Sequence, residues 1–439
     1  MEYLIGLDIG TSSVKGVLMS TDGNVKSCKT KKHIYHEIDG FKTLDADEFC
    51  KGCFDVLKEI KSEICEYDKI LAICPSGASG NLVFVKDGKA ISPVYGWQNS
   101  FDDRITEEVI LGLDGEYVYE TVGWPKIKSM PLAALAYIRK TNPDLIDSSD
   151  MICMHIEYLN FCLTGKWGIT PSIGTPFYLI NQKKMEYEQK ILDSLGIDKA
   201  KLPPIMKNCT SIGHMTEFAV EKTDLDKDTK VILGTFDHPS AARGAGVFDE
   251  DEILISCGTS WVVFVPVSER EKAISQKMLS DPFMHPGGKW CAMKSLTSVS
   301  DTIDKYMKKY LGDISFEELD TLADKAPIGA NGLLLDDDTD TRGFEKSDIA
   351  RAIMECIAIR LNEFLKVYAK DAKKIRLVGG ITKSKVWCRV ISEITGVNVS
   401  VVNGEHAGAV GSAIMAGVGV GIYENEKKAF YSIYGEEKH

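Results

Sequence analysis

Two stretches half a chain apart follow one plan: "LIGLDIGTSSVKGVL", from Leu4 to Leu18, and "EILISCGTSWVVFVP", from Glu252 to Pro266. Each is a β-rich apolar run, a Gly-Thr-Ser turn and a second apolar run. The shared triplets are Gly10–Thr11–Ser12 and Gly258–Thr259–Ser260. A strand–turn–strand unit that recurs at such a distance points to an internal duplication, with one copy opening each half. A chain of 439 residues exceeds what one core usually serves, so two α/β domains are expected. The boundary falls near residues 235–250, giving domains 1–240 and 241–439 with no Pro/Ser-rich linker.

The segments between the copies alternate in period. Asp45 and Glu48 make a capping-box pattern ahead of Phe49, Cys53, Val56, Leu57 and Ile60 at helical spacing. Cys50 and Cys53 therefore read as helix residues; no second Cys pair or Cys/His partner stands near them for a tetrahedral metal site. "KILAIC" reads as a buried strand, "EYLNFCLTG" as a helix ended by Gly165, and "VILGT" as another short strand. In the second half, "DIARAIMECIAIRLNEFLKVYAK" is a helix, "KIRLVGG" a strand, "SKVWCRVISEITG" a helix and "VNVSVV" a strand. A small-residue helix follows from about His406 to Gly417.

The net charge of -12 argues against a nucleic-acid partner and supplies no polybasic membrane anchor. No run reaches the ~20 apolar residues of a membrane span. The opening "MEYLIGLDIG" has no basic segment leading into a long apolar one, and twelve cysteines lie scattered. A cytoplasmic protein with reduced thiols is the expectation.

The turns carry the chemistry. A tight Gly/Thr/Ser turn between strands offers backbone N–H and hydroxyl donors to phosphate oxygens. Asp8 stands beside the first turn and has no acidic counterpart in the second, where Cys257 precedes the glycine. One acid beside phosphate donors suits Mg²⁺ held through its waters, and Lys15 could add a local positive charge. "LVGGITKSKVW", Leu377 to Trp387, is a third glycine turn. There Gly379 and Gly380 could let a flat ring approach the backbone, with a helix start near Ser384. It is neither G-x-G-x-x-G nor a P-loop. In "VILGTFDHPSAARGAG", Asp237 falls between an apolar run and a train of small residues, where it could cap a helix or face a ligand.

Taken in order, "GLDIGTSSVKGVL", "GTFDHPSAARGAG", "ISCGTSWVVF" and "IRLVGGITKSKVWCRVISEITGVNVSVVNGEHAGAVGSAIMAG" resemble the FGGY carbohydrate kinases, with "DIARAIME" (Asp348–Glu355) similar to part of a family signature. The resemblance spans nearly the whole chain. It implies two ribonuclease-H-like (actin-like ATPase) domains with a ligand cleft between them, and ATP-dependent phosphorylation of a ketose or polyol hydroxyl. It puts Asp8, Gly10, Thr11, Ser12 and Lys15 in a first phosphate and metal motif, with Asp8 toward Mg²⁺. Gly258 and Thr259 fall in a second phosphate turn, and Gly379, Gly380 and Ser384 in an adenosine motif. Asp237 falls where the family has its general base, a role in which it would take the proton of the attacking hydroxyl.

The acceptor segments match less closely. Ser76 and Ser79 in "PSGASGN", Trp97, Gln98 and Asn99 in "YGWQNSFDDR", and Glu157 in "MHIEYLNF" are the expected sugar contacts. Asn99 stands where an Asp is common in the family. His238 is read as a hydrogen-bonding or packing residue beside the base. The acidic "DDDTD" reads as a solvated loop, and the 331–344 segment is shorter than in relatives. A sugar or polyol is the expected partner, and a homodimer the assembly to test. Alternatives are a same-fold kinase for another small alcohol, such as a tetritol or a signalling diol, and a nucleotide-switched ATPase without acceptor. Asp237 and the polar stretch at Trp97 favour an acceptor.

Overall fold

The computed structural model describes residues 1–258 and 260–435. The chain divides into two compact units: Met1–Gly244 with Leu279–Pro286 and Gly408–His439, and Ala245–Met278 with Gly287–Ala407. The contact boundary thus falls just past the expected one. The C-terminal segment from Gly408, however, returns to the first unit, which corrects the simple division at residue 240.

In the first unit, β1 (Glu2–Ile9), β2 (Ser13–Ser20) and β3 (Val25–Lys32) form an antiparallel meander. Beyond β1 lie β4 (Lys69–Gly77) and β6 (Lys230–Ile232), each parallel to its inner neighbour, and β5 (Ser211–His214) closes the edge. The order is β5-β6-β4-β1-β2-β3. Leu4, Ile5, Leu7 and Ile9 are fully buried, as a central strand covered on both faces requires.

The second unit repeats the plan. β7 (Glu252–Cys257), β8 (Trp261–Val267) and β9 (Trp290–Leu296) form the meander, with β10 (Lys374–Gly379) and β11 (Asn398–Ser400) parallel beyond β7. The duplication expected from the two turns is therefore present in topology. It extends to register: Ile9 pairs with Gly77, and Cys257 with Gly379. A Cβ on Gly77 would lie 2.2 Å from the Ile9 carbonyl oxygen, and one on Gly379 would lie 2.5 Å from that of Cys257. Neither position has room for a side chain. By the same register Asp8 corresponds to Ser256.

Helix α1 (Ala46–Lys61) starts where the sequence places it, with the Asp45 carboxylate accepting from the Asp47 and Glu48 amides at 3.0 and 2.9 Å. Cys50 and Cys53 are buried on its inner face. α2 (His155–Thr164) ends at Gly165, whose φ of +70° is the left-handed C-cap. α3 (Asp237–Ala245) follows β6. In the second unit come α4 (Phe316–Ala323), the long α5 (Lys346–Tyr368) and α6 (Lys385–Thr395). α7 (Ala407–Gly419) and α8 (Glu426–Tyr434) end the described chain.

α7 lies on β1. A Cβ on Gly6 would fall 1.8 Å from the Ala409 carbonyl oxygen, and one on Gly411 would fall 1.9 Å from that of Ser240 on α3. The small residues of α3 serve this close helix packing, with Ser240, Ala241 and Ala242 all buried. Among the described residues no helix is long and apolar enough to cross a membrane.

Candidate active site

Two carboxylates of the first unit come together. Asp8 is the next-to-last residue of β1, and Asp237 opens α3 just beyond the end of β6. Both are half-buried. Burial, reinforced by the charge of Asp237, pushes the Asp8 carboxyl from its ordinary 3.8 to about 7; Lys15, paired opposite Asp8 across the β1–β2 ladder, pulls the other way. Space for the acid is made by Gly408, where a Cβ would lie 2.5 Å from Asp8 Oδ2. The packing that brings both acids together is also polar. The Ser240 hydroxyl donates to the Gly408 carbonyl at 2.8 Å, and the Ser412 hydroxyl to that of Leu7 at 3.2 Å. The capping reading of Asp237 holds in reduced form: its Oδ1 accepts from the amide of His238 at 2.9 Å. His238 itself sits edge-on to Phe236, with ring centroids 5.9 Å apart.

The Gly10–Thr11–Ser12 turn has its carbonyls occupied by protein groups. His33 Nε2 reaches the Gly10 oxygen at 3.0 Å, Tyr35 donates to that of Thr11 at 2.6 Å, and the His33 amide donates to that of Ser12 at 3.0 Å. A loop arranged in this way can turn its amides toward an anion. Beside it, Trp97 Nε1 donates to Thr11 Oγ1 at 3.1 Å and Gln98 Nε2 to the Tyr35 hydroxyl at 3.1 Å. Thr11, Tyr35, Trp97, Gln98 and His155 line a cavity of about 20 Å³. His155 stacks on Phe49 at 4.8 Å, and burial depresses its pKa to about 3, so a neutral imidazole forms part of the wall. Neither Tyr35 nor His155 carries a local sequence signal for the turn: Tyr35 comes from the segment that follows β3, and His155 from the start of α2, remote in sequence.

Three expected sugar contacts are corrected. Ser76 is fully buried and accepts from the Thr235 amide at 3.2 Å, tying β4 to the segment before Asp237. Asn99 accepts from the Lys42 amide at 2.8 Å and donates to the Lys42 and Gly96 carbonyls at 2.9 and 3.0 Å, so its amide is committed to the backbone. Glu157 is wholly enclosed and accepts from the Met154 amide at 3.2 Å, and burial lifts its pKa to about 8. Ser79, Trp97 and Gln98 keep partial exposure. The acidic loop is exposed as read, with Asp337 paired to Lys305 at 2.6 Å.

The second unit holds a cavity of about 650 Å³, within the range of small-molecule sites. Gly258, Phe316, Asp320, Gly380, Ser384 and Trp387 are among its walls. The two glycines of the third turn divide their work. Gly379, at φ +99°, is committed to pairing with β7, whereas a Cβ on Gly380 would meet nothing within 4 Å. Ser384 caps α6 by accepting from the Trp387 amide at 3.1 Å. It also hydrogen-bonds Asp320, a link that lowers that carboxyl's pKa while burial, the larger effect, raises it. Thr259 lies outside the described residues.

Two sheets of this order, each with a strand–turn–strand opening, define the actin-like ATPase fold. The superposition with a ligand-bound xylulose kinase from Lactobacillus acidophilus gives a TM-score of 0.87 over 99% of this chain and 92% of that one, at 20% identity. Plasmodium falciparum glycerol kinase with ADP gives 0.85 over 100% and 93%, at 18% identity. In sequence, the chain is 25% identical to the xylulose kinase of Bacillus subtilis over 97% of its own length and 90% of that enzyme. The N-terminal domain of the FGGY family of carbohydrate kinases matches residues 3–244, and the C-terminal domain matches residues 327–420. The chain belongs to the FGGY family of carbohydrate kinases. It is an ATP-dependent phosphotransferase with a sugar-type alcohol as acceptor.

Proposed function

We propose that the chain phosphorylates a hydroxyl of an uncharged ketose or polyol, with Asp237 as general base. The observation that carries this is the pairing of Asp8 with Asp237 at the ends of two parallel strands, one carboxylate beside the phosphate turn and the other at a helix start. In the step, Asp237 takes the hydroxyl proton as the acceptor oxygen bonds to the γ-phosphorus of ATP, the bond to the bridging oxygen breaks and ADP leaves. The Gly10 amide closes the turn by donating to the Ser13 carbonyl at 2.9 Å, which leaves the amides of Thr11 and Ser12, with Lys15, to stabilise phosphate charge. The adenosine belongs in the 650 Å³ cavity of the second unit, against Gly380 and Trp387.

Asp8 suits Mg²⁺. It is an acid whose ionisation is resisted by burial and a second carboxylate, and a cation would relieve both. Among the described residues no group of three or more His, Cys, Asp or Glu gathers as a metal site. An ion held by one or two carboxylates, its own waters and substrate phosphates fits that donor set. When bound it would neutralise charge on the transferring phosphoryl group.

The side chains of Trp97, Gln98, Tyr35 and His155 that wall the cavity beside the turn are neutral, with the Lys42 ammonium 4.4 Å from the centre of the Tyr35 ring; neutral walls support an uncharged acceptor. The similarity to xylulose kinase supports a ketose in particular. A panel of D-xylulose, D-ribulose, glycerol and erythritol tests this: at least one should stimulate ADP release, with a phosphate ester visible by ³¹P NMR. Asp237→Ala should abolish the stimulation and leave ATP binding in place. Absence of stimulation by every member, with basal hydrolysis unchanged by the substitution, would sink the reading.

A further inference from the structure

Behind Asp237 lies a charged group that the transfer itself does not use. Arg243, six residues along on α3, is fully buried. Its guanidinium makes contacts in three directions. Nη1 donates to the Pro239 carbonyl at 3.0 Å, in the first turn of its own helix. Nη2 donates to the Phe283 carbonyl at 2.7 Å, and Nε to Glu426 Oε1 at 3.2 Å. The guanidinium also lies 4.5 Å from the centre of the Phe283 ring. Glu426 opens α8, and Phe283 belongs to the Leu279–Pro286 segment, so one side chain ties three stretches distant in sequence within the first unit.

We propose that Arg243 is a positioning residue, which sets the direction of the Asp237 carboxylate through the first turn of α3. The inference rests on Asp237 being the base. Four features support it. The planar fork fixes three partners at once, which a lysine cannot reproduce. A buried ion pair is weak evidence for stability, so its presence calls for another explanation, and fixed geometry is one. The carbonyl that Nη1 holds belongs to Pro239, two residues from the base. Toward α7 the helix is held by small residues, with Ser240 hydrogen-bonded to Gly408 and Ser412 at 2.8 and 2.9 Å, so the Arg243 fork supplies the restraint from the long side chain. The C-terminal helix thereby acquires a part in the reaction, through Glu426.

The test is a double-mutant cycle on the full chain, read with ATP and the most active acceptor of the four-member panel. Arg243→Met should lower kcat by about 100-fold, the scale on which small misplacements of reacting groups act, with KM for the acceptor changed less than about threefold. In an Asp237→Asn background the same change should lower the residual rate by less than about twofold, because its effect passes through the missing base. Arg243→Lys should recover part of kcat. Should Arg243→Met fail to fold, Glu426→Leu, which removes the acceptor for Nε, is read in the same cycle with the same expected pattern. Unchanged kcat, or full additivity with Asp237→Asn, overturns the proposal. If Asp237→Asn itself keeps its turnover, the base assignment falls instead, whatever Arg243 does.

Discussion

The two sheets share a three-stranded meander with two parallel strands beyond it, and a glycine that closes the parallel partner strand, although their sixth strands (Ser211–His214 and Leu279–Asp281) sit on opposite edges. Only the first carries an acid where its opening strand ends. Asp8 in β1 corresponds to Ser256 in β7. Around Asp8 the first unit gathers Asp237, Lys15 and a helix made of small residues. Beside the second turn, the other unit leaves a cavity with aromatic walls, lined by the half-buried Asp320 and the exposed Glu317. Under the proposed function, the duplicated fold is divided by chemistry: one copy for proton and phosphate, the other for a ring. The shared features are those imposed by backbone contact, and the differing ones are side chains that project from the same backbone.

Breaking the division should show most at Asp237. Replacement by alanine is expected to lower acceptor-dependent turnover by about 10²–10⁴-fold, the range for loss of a general base, in an initial-rate assay. Next come the two closing glycines. Gly77→Ala and Gly379→Ala each put a Cβ into a carbonyl oxygen, at 2.2 and 2.5 Å. Each should cost roughly 1–3 kcal/mol in denaturant unfolding. Similar losses would sharpen the equivalence of the units, whereas a loss in one alone would break it.

Asp8 gives a smaller, pH-dependent effect. Its pKa is raised from 3.8 to about 7 in the folded chain, so folding favours the protonated form and ionisation destabilises. The penalty is absent below the unfolded pKa, grows through pH 4 to 7 and then levels. Asp8→Asn should therefore match the wild type in thermal melting near pH 4 and exceed it at pH 8, without Mg²⁺. Equal gaps at both pH values would contradict the raised pKa of Asp8, which burial causes first and the charge of Asp237 second. Smallest is Gly380→Ala, which should change stability by no more than about 0.5 kcal/mol, since its Cβ would meet open space.

Much of this is legible in the sequence. The repeated turns gave the duplication because a strand–turn–strand unit is local. Asp45, Gly165 and Ser384 marked helix ends because caps act over a few residues. What escaped was decided at long range. The return of Gly408 onward to the first unit depends on Gly6 and Gly411 admitting α7 to β1 and α3, a contact that no local pattern announces. Ser76, Asn99 and Glu157 looked like ligand contacts because polar residues near a site read alike. The structure shows Ser76 and Asn99 bonded to the backbone and Glu157 wholly enclosed, with one oxygen accepting from the Met154 amide. Arg243 was passed over inside a small-residue helix, since its partners lie in segments remote in sequence.

The central claim, that the two units divide the labour, is tested most directly by crossing two variants in two assays. Nucleotide Kd is measured by calorimetry with ADP, and turnover with ATP and acceptor, for Asp237→Asn and Gly380→Val. The account predicts that Asp237→Asn loses turnover with Kd within about threefold of wild type, and that Gly380→Val weakens Kd by about tenfold or more, the loss of roughly 1.4 kcal/mol. A Kd that collapses in Asp237→Asn, or stays unchanged in Gly380→Val, would contradict it.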